Sequence, residues 1–395
     1  MSEWKETRLK SLLSSPLTYG LNVSAEDDRE DWPRYIRITD FDDYNNLKED
    51  TFKSLPLSVA EAALLEEGDL LLARSGATAG KTFLYSKLPY GACYAGYLIR
   101  ARFNKNIALP KFISYFTKGS LYTNWKERYC IQTTIQNISA ERYNQLPIII
   151  PSVKEQQRIV DYLDKKLATI DHRVGVLEKE KDAYARLKKS VINQAVTRGL
   201  NPNVPLKDSG IDWIGMIPVH WSLLHLKNCV TINNGKDYKD IETEDGIPVI
   251  GSGGQFAYAS ESMYEGEVIF MGRKGTIDRP LYFNGAFWAV DTMFYAIPFN
   301  HCSGKFLYYC ATCFPYRKIS TATALPSMTQ RDLYQLPVAL PPLSEQQAIA
   351  AYLDEKCAKI DAAIENNSKQ IDASKRLKKA VINEAISGKI NFEDN

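Results

Sequence analysis

At 395 residues the chain has room for two or three domains, and 45% hydrophobic residues is ordinary for a globular protein. A charged N-terminus (MSEWKETRLK) and the lack of any apolar run of roughly eighteen residues argue against a signal peptide or a membrane span, so the expected location is cytoplasmic. Seven scattered cysteines suit a reducing compartment, and a formal charge of only +2 says little by itself.

Residues 1–151 read as a first globular unit. Short apolar runs bounded by turn residues predict strands at Tyr35–Ile38, Leu70–Ala73, Phe83–Tyr85 and Tyr97–Ala101, and helices at Lys111–Phe116 and Leu121–Arg128. Charge is unevenly spread. Sixteen acids face eight bases up to Asp69, whereas Leu70–Lys126 holds nine Lys or Arg and no acid. The turn RSGATAGKT resembles a phosphate-binding loop, but its first glycine would have to stand at Ser75. A glycine-rich hairpin explains it better, and a nucleotide-binding enzyme using Ser75–Thr82 is kept only as a rival.

Residues 152–199 predict one long helix, because a proline stop at Pro151 is followed by a run free of proline. Leu163, Ile170, Leu177, Tyr184 and Val191 recur every seventh residue, with Val160, Leu167 and Val174 beside them, which is a coiled-coil seam. The segment Leu146–Thr197 returns as Leu336–Ser387 at a constant offset of 190, with 25 of 52 positions identical. The second copy predicts a second long helix over 342–388, followed by a tail, 389–395. Its seam rows are Leu353, Ile360 and Val381, interrupted by Asn367 and Ser374, and Ala350, Cys357, Ile364 and Ile371. Apolar residues nearly encircle the last turns (Leu187, Val191, Ile192, Ala195, Val196), so these ends should dock on a neighbouring domain or a partner.

Between the copies, residues 200–215 are rich in Pro, Asn, Asp and Gly and predict a surface linker. Residues 216–341 then repeat the first unit loosely. EGDLLLARSGAT matches EGEVIFMGRKGTI, ISAERYNQLP matches MTQRDLYQLP, and Trp4 and Leu9 match Trp221 and Leu226. The charge pattern recurs too: Cys229–Glu267 has eight acids and two bases, Val268–Gln330 six bases and two acids. His301, Cys302, Cys310 and Cys313 include one C-x-x-C, but no second pair exists and the stretch reads as helix, so no metal is expected.

The order is therefore domain, helix, linker, domain, helix. Parallel pairing would ask about sixteen linker residues, reaching roughly 54 Å, to span a helix of about 68 Å. Antiparallel pairing within the chain is expected, with a domain at each end of a stiff spacer. Two similar basic domains held apart in this way would read two unlike DNA half-sites. The matched loops supply candidate contacts: Arg74, Lys81, Thr133, Thr134, Gln136 and Asn137 in the first unit, and Arg273, Lys274, Arg279, Thr321, Thr323, Ser327 and Thr329 in the second. Arg, Asn and Gln can read base edges, while Lys and Thr more often grip phosphate. A scaffold of two globular ends without a DNA role is the other rival.

The doubled LP…P…EQQ…YLD helix, the GDLLLARSGATAGKT and GEVIFMGRKGT turns and the WIGMIPVHW segment together resemble the specificity subunit of type I restriction–modification enzymes, over essentially the whole chain. The resemblance implies an α+β fold of two target-recognition domains separated by two long antiparallel helices. It implies double-stranded DNA as ligand, and two methyltransferase and two restriction subunits as partners. Gln156, Gln157, Tyr162, Gln346, Gln347 and Tyr352 are then candidate partner contacts. No catalysis and no cofactor are expected in this chain; S-adenosylmethionine, ATP and Mg²⁺ would belong to the partners.

Overall fold

The computed structural model describes residues 4–25, 27–42, 45–76, 78–130, 137–320 and 326–390. Two long helices dominate: α1, Val153–Arg198, and α2, Leu343–Ile386. The chain divides into two compact units, 1–176 with 370–395, and 177–369. Each helix thus starts in one unit and finishes in the other. Among the described residues no helix is long and apolar enough to cross a membrane.

In the first unit Leu70–Ala73 lies between Leu98–Ala101 and Thr82–Leu84 in a four-stranded antiparallel sheet, with Thr18–Tyr19 on the outer side of Leu98–Ala101. A parallel pair, Arg34–Ile36 with Ala92–Tyr94, packs a second small core around Phe41, Phe83 and Tyr85. All four residues of Leu70–Ala73 are buried, which accounts for the unbroken apolar run in the sequence. Arg102, in the acid-free stretch, is neutralised from outside it: the carboxylate of buried Asp69 holds its guanidinium at 2.7 Å and raises its pKa.

The second unit repeats the same strand order in a larger, seven-stranded sheet. Tyr264–Gly272 lies between Met293–Pro298 and Leu281–Ala289, and Val230–Asn234 flanks Met293–Pro298. The expected surface linker is partly structured. Leu206–Asp208 pairs antiparallel with Met216–Pro218, and Ile214 is 7% exposed. Trp213 meets Phe314 edge-on at 5.9 Å. Ile211, Trp213 and Ile214 pull that polar stretch onto the core, while Gly210 and Gly215 take the positive φ its turn requires.

Both units grip their helices in the same way. Lys5–Arg8 pairs with Pro147–Ile150, and Ser222–His225 with Pro337–Leu340. The Leu9 amide donates to the Leu146 carbonyl at 2.9 Å, and Leu226 to Leu336 at 2.8 Å. At the helix starts, Lys111 and Tyr115 both bond Asp164, at 2.6 and 2.5 Å, as Lys305 and Tyr309 bond Asp354, at 2.5 and 2.8 Å. Burial, and then the neighbouring carboxylate, push both phenols up.

The apolar helix ends dock within the units. Ile382, Ala385 and Ile386 of α2 join the first unit's core, and Ile192, Ala195 and Val196 of α1 join the second's. Gly388 and Gly199 end the helices at φ +70 and +75, and each lies against a tryptophan: a Cβ on Gly388 would stand 2.9 Å from Trp4, one on Gly199 3.2 Å from Trp221. Within each unit the helix segments run antiparallel. Lys378 pairs with Asp171 and Arg173 bonds Gln370 in the first. Lys188 pairs with Asp361 and Asn367 bonds Glu180 at 2.9 Å in the second. Asn367, the expected seam interruption, is 6% exposed and spends its amide on that bond.

Two residues expected on the partner surface lie inside instead. Gln156 and Gln346 are both 0% exposed. Gln156 accepts from the Leu109 amide at 2.8 Å and donates to the Ile107 and Pro151 carbonyls at 2.9 Å. Gln346 does the same for Ser303, His301 and Pro341. A primary amide matches one donor and two acceptors of an incoming loop, which fixes the chain just before each head's helix. Gln156→Ala and Gln346→Ala are each expected to cost about 2–3 kcal/mol, because buried backbone groups lose their partners, whereas exposed Gln157→Ala should stay within about 0.5 kcal/mol; urea melts of the three variants check this.

Candidate nucleic-acid interface

In both units the corresponding inner strand of the sheet, Leu70–Ala73 or Tyr264–Gly272, runs out into a loop that meets the loop before a short helix. Ser75 bridges Asn137, and Lys274 bridges Ser327. The Ile138 amide donates to the Arg74 carbonyl at 2.7 Å, and Met328 to Arg273 at 3.0 Å. Candidate residues far apart in sequence are thus brought together twice: Arg74 with Asn137, and Arg273 and Lys274 with Ser327.

In the first unit the Arg74 guanidinium lies 4.8 Å over the Tyr19 ring. Its Nε is shielded and has no hydrogen-bond partner among the described residues. Its backbone amide bonds the Tyr97 carbonyl at 3.0 Å, and the Tyr97 side chain is 65% exposed beside it. Arg142 stacks on Tyr129 at 5.3 Å and donates to the Asn137 carbonyl at 3.3 Å. A guanidinium stacked on an aromatic face keeps its edge donors aimed outward, the geometry suited to a base edge or phosphate.

In the second unit the same loops enclose a groove of about 440 Å³ lined by Arg273, Lys274, Ser327, Thr329, Asn234, Gln330 and Arg331. The Arg273 guanidinium sits 6.0 Å from the ring of buried Phe294 and reaches the Asp291 carbonyl at 3.4 Å. Three cations therefore converge on one concave surface.

Other candidates are placed differently. Lys81 turns its ammonium onto the Phe41 carbonyl at 2.5 Å, 5.2 Å from that ring, and braces the loop rather than pointing from it. Thr329 caps the helix Gln330–Tyr334: its hydroxyl accepts from the Asp332 amide and donates to the Asp332 carboxylate at 2.7 Å. Arg279 is exposed in the turn between Tyr264–Gly272 and Leu281–Ala289 and does not line the groove. Thr133, Thr134, Gln136, Thr321 and Thr323 lie outside the described residues. Tyr19, Tyr97, Arg142, Asn234, Gln330 and Arg331 were missed. The arginines had a signal, since ISAERYNQLP and MTQRDLYQLP each place one in the short helix; the aromatic platforms had none.

The phosphate-loop rival lacks its geometry. Leu72 pairs with Thr82 and Leu70 with Leu84, so Lys81 and Thr82 lead into an antiparallel strand and not into a helix N-terminus. Of the candidate partner contacts, Gln157, Gln347 and Tyr352 are exposed and Tyr162 is half-buried. Lys166 and Lys356 lie over the two tyrosine rings, at 5.9 and 5.7 Å.

Comparison with known proteins gives a consistent result. The family described as "Type I restriction modification DNA specificity domain" matches residues 1–178 and 218–372. The putative type I restriction enzyme MjaX specificity subunit of Methanocaldococcus jannaschii is 23% identical, over 99% of this chain and 94% of its own length. The type I restriction enzyme StySPI specificity subunit of Salmonella potsdam is 24% identical over 88% and 82%. Among solved structures, a chain from a study of complex assembly in the type I R-M system superposes with a TM-score of 0.76 at 17% identity, covering 98% of both chains. The HsdS subunit from Thermoanaerobacter tengcongensis gives 0.55 at 17% identity, covering 98% of this chain and 97% of its own. These superpositions bear out the α+β architecture of two domains and long helices.

The Thr329 cap has a pH signature. Hydrogen bonds from the Thr329 side chain and backbone hold Asp332 below the usual carboxylate range. Its contribution is therefore complete above the unfolded pKa of about 3.9 and fades as pH falls through the lower folded value. Thr329→Ala should cost about 1 kcal/mol near neutrality, and the gap from the parent should close in strong acid; thermal melts across pH 2–7 read both.

Proposed function

The chain belongs to the type I restriction modification DNA specificity family, and from that premise we propose that it reads an asymmetric bipartite DNA site, one head per half-site. The observation that carries this reading is the twofold recurrence of one loop junction with different side chains in it: Arg74, Asn137 and Arg142 in one head, Arg273, Lys274 and Arg331 in the other. The common backbone gives both heads one way of meeting DNA. The unlike side chains give them unlike targets, with arginine forks for guanine edges and lysine for phosphate.

In this reading the chain is the non-catalytic recognition part of a cytoplasmic complex. The surface around Gln157, Tyr162 and Lys166 recurs around Gln347, Tyr352 and Lys356, so one methyltransferase subunit would dock on each half, with two restriction subunits completing the assembly. S-adenosylmethionine, ATP and Mg²⁺ would be held by those subunits. The helix pair would set the gap between half-sites.

Two experiments test the reading. The chain, assembled with its methyltransferase partner, should select a two-part motif from random duplex DNA. Arg273→Ala should then cost about 1–3 kcal/mol and relax one half-site only; selection of no two-part motif sinks the proposal in favour of a scaffold. Deleting the matched heptads Val174–Glu180 and Ile364–Gln370 removes Glu180 and its partner Asn367 together. It shortens each helix by about 10 Å and should shift the preferred gap by roughly three base pairs. An unchanged gap rules out the helix pair as the spacer.

A further inference from the structure

The contacts that seat each head on its helices recur, but the grooves beside them differ in charge. In the first unit a groove of about 790 Å³ lies among Gly80–Thr82, the helix Ser120–Cys130 and the last turns of α2. Lys111 and Lys378 on its wall are paired with Asp164 and Asp171. Lys126 and Lys375 line it too, and neither forms an ion pair among the described residues. The second unit's counterpart, about 420 Å³, keeps the acids as Asp354 and Asp361 and keeps Lys188 and Lys189. It has Ala185 where the repeat would place Lys375, and the helix Ser120–Cys130, which carries Lys126, is shortened to Tyr316–Ile319, whose Arg317 and Lys318 do not line the groove.

We propose that the first unit's groove takes the phosphodiester backbone of duplex DNA running on from the half-site that this head reads, a sequence-independent contact the second unit lacks. The inference rests on the DNA reading above. Groove and candidate interface share one loop: Arg74 and Ser75 stand at the interface end, Gly80–Thr82 at the groove end. The loop is held against the groove wall by the Tyr122 hydroxyl, 2.8 Å from the Gly80 carbonyl, and by the Lys126 stem, whose Cδ lies 2.1 Å from where a Gly80 Cβ would be. A partner that docks once on each half needs features present in both. Lys126 and Lys375 occur in one half only, so they serve something else, and lysines without acidic partners fit phosphate.

The test is the double variant Lys126→Gln/Lys375→Gln, which keeps both stems, with Lys189→Gln as control, each assembled with the methyltransferase subunit. The affinity for duplex DNA is measured against salt. The double variant should lower the slope of log K on log salt by roughly 1.8, at about 0.9 per phosphate contact, with the selected motif unchanged, and the control should not. Trimming the duplex outside the first half-site should weaken the parent and leave the double variant unaffected. An unchanged slope overturns the proposal, as does loss of methyltransferase assembly with the slope intact, which would mark an acidic protein surface as the occupant. Absence of any selected motif in the parent overturns the underlying DNA reading instead.

Discussion

The fold depends on the burial of helix ends. The last turns of α1 and α2 each carry a broad apolar face, though Leu187, which the sequence adds to it, stays 48% exposed. Such an end cannot stop in water without exposing Ile, Val and Ala together. Each is taken into a core built mainly by another part of the chain: Ile382, Ala385 and Ile386 pack with Phe112 and Ile113, and Ile192, Ala195 and Val196 with Phe306 and Leu307. At roughly 1.5–3 kcal/mol for each fully buried isoleucine, this docking binds head and helix into one cooperative unit. The repeated Gly–Trp junctions stop the helices at the depth where the docking ends.

That constraint explains why ionic and hydrogen-bonding features recur in pairs. Asp164 and Asp354, and Gln156 and Gln346, lie where a head meets helix, Asp171 and Asp361 where helix meets helix, and each performs the same local task in its unit. The heads are freer. A seven-stranded sheet replaces a four-stranded one around a corresponding inner strand, and the loops at its end keep their backbone pairing while their side chains change. What holds the frame is repeated; what would meet DNA is not.

The frame was legible in the sequence because a constant offset and heptad spacing are one-dimensional signals of helix and docking. Trp4, Leu9, Trp221 and Leu226 were legible for the same reason. The site was half legible: the arginine loops could be paired by their repeats, but Tyr19 beneath Arg74 and Phe294 beneath Arg273 are single aromatics in unremarkable contexts. Gln156 and Gln346 misled because glutamine at a helix start reads as exposed, and their partners are backbone groups, which carry no side-chain signal. Thr329 lines the second unit's groove and also caps the short helix, a double placement its basic-loop context does not announce, although Asp332 stands at capping-box spacing from it.

The Asn367–Glu180 bond has a consequence for how such a protein can change over generations. A buried seam amide tied to an exposed carboxylate at the seam's edge resists slippage, since a shift of register leaves the amide facing hydrocarbon. An insertion or deletion in one helix alone would break that bond, so a change of length that keeps it needs matched edits in two stretches of the gene, nearly two hundred codons apart. Loop residues in the heads carry no such linkage and can drift singly. Inherited change should therefore reach the loops of the heads more readily than the length of the helices.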